Sequence, residues 1–150
     1  MLSAILLILE SLLVGNELCI AVFICPTLYK LPDQCHLRAA KAIAGLLGRA
    51  MPIWYIATFA LSVGECYVSR HAGPAITNLL LASTGMFLLS IIFTLIGPVP
   101  INNQIARLDP ENPPMNWLAL RKRWDILHAI RTFILFIALF LLVSALLLTR

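Results

Sequence analysis

Four long apolar runs, each interrupted only by isolated polar residues, alternate with short polar connections along this chain. A helix of about 20 apolar residues crosses a bilayer, so the pattern predicts four spans: Leu2 to about Cys25, about Leu46 to Tyr67, about Ala75 to Val99, and about Ile126 to Thr149. Proline lacks an amide donor and clashes with the preceding turn. Pro26 and Pro32 are therefore expected to end the first span, Gly73 and Pro74 to start the third, and Gly97, Pro98 and Pro100 to end it. A tight hairpin around Arg70 and His71 is expected between the second and third spans. Tyr29 to Lys41 and Asn102 to Asp125 form the two longer connections, which hold most of the polar residues.

Composition narrows the class. Of 150 residues, 61% are apolar and 12% charged, and the mean hydropathy is +0.93. The polar connections are too short to bury a core of their own, so the expected architecture is all-α, an integral membrane four-helix bundle forming one domain over residues 1–150. Met1 to Leu9 has neither a basic start nor a small-residue cleavage site and reads as part of the first span. The net charge of +4 then reports orientation and not nucleic acid binding. Lys30, Arg38, Lys41, Arg49, Arg107, Arg121, Lys122 and Arg123 fall on the side of the longer connections, whereas Arg70 and Arg150 fall opposite. The positive-inside bias places those connections in the cytoplasm and both termini outside, as expected of a bacterial inner-membrane protein. Cys19, Cys25, Cys35 and Cys66 lack metal or redox spacing and read as reduced, packed thiols. Helices in lipid associate by close backbone approach. Ala50, Ala57, Ala60 and Gly64 on the second span, and Ser83, Ser90, Thr94 and Gly97 on the third, are the stripes expected to provide it.

Ionisable groups inside the spans carry the chemical interest, because a charge at the centre of a membrane costs roughly 2.5–3.5 kcal/mol even on lenient scales. Arg121, Trp124, Asp125, His128, Arg131 and Thr132 share one arc of the fourth helix, and the same face turns apolar at Leu135, Leu139 and Leu146. Ser3, Glu10 and Glu17 recur every seven residues and share a face of the first helix. Glu17 and Arg131 enter from the same side to a comparable depth and can meet as an ion pair. Glu10, nearer the midplane, has no obvious cation at its level. Arg49, Trp54, Tyr55, Asn102 and Asn103 are expected at the same end of the bundle. The plainer alternative is an interfacial basic cluster at Arg121 to Arg123, an aromatic belt of Trp54, Tyr55, Trp117 and Trp124, and a snorkelling Arg131. Only His128 among the three histidines is placed to bind a metal; with Glu17 and Cys25 it could make a sparse site, but without a second reachable histidine no metal site is assigned, and the cofactor stays open between cofactor-free and metal-assisted chemistry.

The blocks GNELCIAVFICPTLYKLP (Gly15 to Pro32), GRAMPIWY (Gly48 to Tyr55), PINN (Pro100 to Asn103) and RWDILHAIR (Arg123 to Arg131) together resemble the anthrone oxygenase-like family of small four-span membrane proteins. The resemblance departs at Cys25, where His is common in the family, so no ligand or base role carries over to that position. It implies oxidation of anthrones to anthraquinones by O2 with no identified cofactor, the likeness to the oxidising members lying mainly in the Trp124, His128, Arg131 block and the Asn pair before it. On that basis His128 is the expected base, Glu17 its orienter or proton acceptor, and Arg131 with Asn102 the oxyanion partners. Arg49, Trp54, Tyr55, Asn103 and Trp124 are the expected substrate contacts. The partners are then the lipid bilayer and a hydrophobic small molecule, with a homo-oligomer left open. A membrane module that binds a lipid, quinone or partner helix without catalysis is the competing class.

Overall fold

The computed structural model describes residues 1–148; Thr149 and Arg150, placed above at the end of the fourth span, lie outside the described residues. No strand occurs among the described residues. The elements are α1 (Leu2–Cys19), a π turn (Ile20–Ile24), α2 (Cys25–Leu28), α3 (Asp33–Val68), α4 (Pro74–Ile96), α5 (Pro98–Ala106) and α6 (Trp117–Leu147). They combine into four helical arms long and apolar enough to cross a membrane, 2–28, 33–68, 74–106 and 117–147. The chain is an integral membrane protein built as an all-α four-helix bundle.

Several expected boundaries shift for identifiable reasons. Pro26 does not end the first arm. The preceding π turn accommodates it: the Cys25 amide reaches back five residues to the Ile20 carbonyl, which widens the turn where the proline ring has to fit. The Thr27 hydroxyl also donates to the Phe23 carbonyl at 2.7 Å. Most of the first expected connection is helix, because polar residues from Asp33 to Lys41 extend α3 beyond the apolar run. Gly97 and Pro98 redirect the third arm without ending it: Gly97 takes φ −109° and ψ −84°, and α5 begins at once. At the hairpin, Gly73 adopts φ +107°, a region that residues with a Cβ rarely occupy. Pro74 follows at the first position of α4, where its missing amide donor costs nothing.

The core consists of three layers along the bundle. Ile20, Cys25, Leu37, Ile101, Ile105, Trp117 and Trp124 pack at the basic end. Leu13, Val14, Tyr55, Phe87, Leu135 and Ala138 form the middle, and Leu6, Leu80, Leu142 and Ala145 the far end, near both termini. Side chains stitch the helices together where lipid offers no hydrophobic drive. Ser83 Oγ donates to the Ala138 carbonyl at 2.8 Å, Trp54 Nε1 to the Leu9 carbonyl at 3.1 Å, and Ser3 Oγ to Glu65 Oε1 at 2.9 Å. α4 and α6 share the most extensive interface, and Ser83 and Ser90 are buried along α4. The stripe expected on the second arm does not behave this way: Ala50, Ala57 and Ala60 are exposed, and Tyr55, Thr58, Ser62 and Glu65 occupy the buried face. Two of these reach across to α1, Tyr55 donating to Glu17 and Glu65 accepting from Ser3, so cross-helix hydrogen bonds and not the small residues mark the inward face.

Candidate functional site

Every member of the polar arc on α6 turns inward. Arg121, Trp124, His128, Arg131 and Thr132 are buried and Asp125 is half-buried, whereas Lys122 and Arg123 are exposed. Spacing near 3.6 residues per turn keeps the arc on one face. It meets the Glu17 face of α1.

Glu17 Oε2 pairs with Arg131 Nη2 and lies 3.3 Å from His128 Nδ1. Glu17 Oε1 accepts the Tyr55 hydroxyl at 3.0 Å. His128 is fully buried, and its Nε2 lies 3.2 Å from the Glu17 backbone carbonyl. A carbonyl can only accept, so Nε2 carries the proton and Nδ1 presents a lone pair. That lone pair accepts from Arg131 Nη2 at 2.8 Å. The imidazole is stacked on Trp124, with ring centroids 4.8 Å apart and 8° between the planes. Arg131 retains donors to spare: its buried Nε has no partner, and Nη1 makes only a 3.5 Å contact with Thr94 Oγ1. Nη1, held so loosely beside the cavity, is a charged donor that a negative oxygen can draw on.

Above this cluster lies a cavity of about 340 Å³. Glu17, Tyr55, Thr94, Asn102, Arg121, Trp124, His128 and Arg131 supply its polar and aromatic wall, and the remainder is aliphatic, with Ile20, Ile24, Leu47, Met51 and Ile91 among the lining residues. A second network closes the basic end. Arg121 bridges Asp125 Oδ1 at 2.9 Å and donates to Cys25 Sγ at 3.2 Å, and its guanidinium lies 4.4 Å from the Trp124 ring centroid. Tyr29 donates to Asp125 Oδ2 at 2.6 Å. Partial burial of the phenol, and then this carboxylate, push the Tyr29 pKa above its ordinary value. His36 packs edge-on between Tyr29 and Trp117.

Of the residues expected at the site, Glu17, Tyr55, Asn102, Trp124, His128 and Arg131 are brought together around the cavity. Three expected substrate contacts are not. Arg49 is exposed, and its Nε donates to the Gly45 carbonyl of its own helix at 3.2 Å. Six residues before Tyr55, it sits about 120° round the helix from that side chain. Trp54, one residue from Tyr55 and so about 100° away, points to the Leu9 carbonyl. Asn103 is exposed beside the half-buried Asn102. Conversely, Gly48, Met51, Pro52 and Thr94 line the cavity without having been singled out as contacts. The Gly48 to Pro52 spacing inside an apolar helix was the signal available in the sequence. Among the described residues no group of three or more His, Cys, Asp or Glu is arranged to hold a metal ion.

The fold and site define a four-helix membrane bundle that buries a carboxylate, a guanidinium and an imidazole against a cavity with a largely aliphatic lining. The chain belongs to the anthrone oxygenase family, whose sequence model matches residues 38–141, more than half of its length. The matched stretch contains Tyr55, Asn102, Trp124, His128 and Arg131; Glu17 lies outside it and joins them through the fold. No curated protein and no solved structure matches the chain.

Proposed function

We propose that this protein uses O2 to oxidise a hydrophobic aromatic compound of the anthrone or quinol type in the cavity above Glu17. The observation that carries this reading is the Arg131 guanidinium, clamped by Glu17 and His128 at the cavity wall with Nη1 making only a 3.5 Å contact with Thr94 Oγ1. In an anthrone, a CH2 group lies between two rings and is conjugated through them to a carbonyl. Removing one proton places negative charge on that carbonyl oxygen, which Arg131 Nη1 and the Asn102 side chain stabilise. The base is His128 Nδ1, uncovered when the substrate oxygen draws the guanidinium toward itself. The imidazolium so formed is stabilised by Glu17 Oε2 at 3.3 Å. Carbon then bonds to O2 to give a hydroperoxide. Loss of the second C–H proton with cleavage of the O–O bond gives the quinone and one water, so that one O2 is consumed and the substrate loses two C–H bonds. The basic end, with the site, is taken to face the cytoplasm, as its exposed Lys30, Arg38, Lys122 and Arg123 favour.

The test is quinone formation from an anthrone in air by the purified protein, compared with His128→Ala. Turnover is expected to fall by about 10²–10⁴-fold, the range contributed by a positioned base. Unchanged turnover removes His128 from the chemistry. Metal analysis of the same preparation bears on the base: a stoichiometric metal would transfer the activation of substrate or O2 away from His128. A protein that retains a quinone without consuming O2 belongs to the non-catalytic binding class.

A further inference from the structure

The cavity does not end inside the bundle. Its lining includes Gly48, Pro52 and Ile56 of α3 and Leu95 of α4, all of which are exposed on the outer face. Ile56 is 68% and Leu95 60% exposed. The floor, by contrast, is buried: Glu17 and His128 are 1% and 0% exposed. The charged residues in the lining all belong to the inner wall, so the rim between α3 and α4 is apolar and faces hydrocarbon. A Cβ built on Gly48 meets no atom within 4 Å, which leaves open space at this position of the rim.

The same stretch of α3 contains a backbone irregularity. Pro52 lies inside the helix and has no amide hydrogen, so the Gly48 carbonyl, four residues earlier, lacks its helical donor. Both residues line the cavity, and since a proline ring lies against the carbonyl four residues before it, we place that carbonyl on the same side of the helix as the ring. An unsatisfied carbonyl in hydrocarbon costs several kcal/mol unless something donates to it, and a hydroxyl on an aromatic ring is such a donor.

We propose that the substrate enters sideways from the bilayer between α3 and α4, and that the Gly48 carbonyl freed by Pro52 accepts a hydrogen bond from a ring hydroxyl, selecting hydroxylated polycyclic aromatics over unsubstituted ones. This rests on reading the cavity as an aromatic site, and it adds the route of entry and the substrate feature recognised.

The experiment uses the full chain in lipid nanodiscs and two unreactive probes, 9,10-anthraquinone and 2-hydroxyanthraquinone, each added through the lipid, with tryptophan quenching as the readout of occupancy near Trp124. The wild-type protein is expected to bind the hydroxylated probe about three- to tenfold more tightly, the range one hydrogen bond provides. Pro52→Ala restores an amide donor to the Gly48 carbonyl and should abolish that preference, the two probes then binding with equal affinity. Gly48→Leu fills the rim and should weaken both probes at least tenfold with helicity by circular dichroism intact. Wild-type affinity for both probes in Gly48→Leu, a retained preference in Pro52→Ala, or no quenching in the wild-type protein overturns the proposal. Binding with this pattern and no anthrone turnover in air supports the route and removes the oxygenase reading. Full turnover by Gly48→Leu sinks the route and leaves the chemistry standing.

Discussion

The two halves of the bundle carry the same acidic motif and treat it differently. Glu10 and Glu17 lie seven residues apart on one face of α1, and both are 1% exposed. Toward the basic end, Glu17 meets a cation, an imidazole and a phenol. Toward the termini, neither Glu10 oxygen has a hydrogen-bond partner among the described residues, and Glu65 accepts from the hydroxyls of Ser3 and Ser69. The difference lies in α6, whose inward face carries Arg131 and Thr132 and then only Leu135, Ala138, Leu142 and Ala145 among its buried residues. One helix thus decides which carboxylate becomes part of a site and which remains solitary.

Substitutions can break or sharpen this contrast. The largest effect is expected from Glu17→Gln, which leaves the buried Arg131 without its counter-charge; loss of one partner from such a pair costs about 3–5 kcal/mol. Thermal unfolding in detergent should show a large drop, and a variant as stable as wild type would mean that Arg131 finds another anion or water. Glu10→Leu should act in the opposite direction. Removing an unsatisfied buried carboxyl is expected to stabilise the bundle by about 1–3 kcal/mol and to leave anthrone oxidation intact; lost activity would give Glu10 a part in the chemistry. The smallest effect separates adjacent aromatics. Trp54→Phe should cost about 1 kcal/mol through its bond to the Leu9 carbonyl without changing KM, whereas Tyr55→Phe, which removes a hydroxyl from Glu17, should lower kcat.

How much of this could be read from the sequence depended on whether neighbouring helices had to be known. The inward arc of α6 followed from spacing alone, because a polar face within an apolar helix has one sensible direction. The pairing of Glu17 with Arg131 followed from depth. The choice of Tyr55 over Trp54, and of Asn102 over Asn103, did not, since about 100° of rotation separates adjacent residues and packing against other helices fixes that angle. The same ignorance of rotation made the Ala50, Ala57, Ala60 stripe look like an interface when those residues are exposed. Helix lengths were underestimated at Asp33 and Trp117 because hydropathy marks where lipid begins and not where backbone hydrogen bonding stops.

The π turn at Ile20–Ile24 gives the first arm an odd residue that a straight α-helix would not need. The wide turn absorbs that residue, so Cys25 and Tyr29 keep their approach to Arg121 and Asp125, whereas the same residues wound as a straight α-helix would be rotated by about 100° relative to Glu17. The π turn thus works as a phase corrector, joining the face of the first arm that carries Glu17 to the one that carries Cys25 and Tyr29.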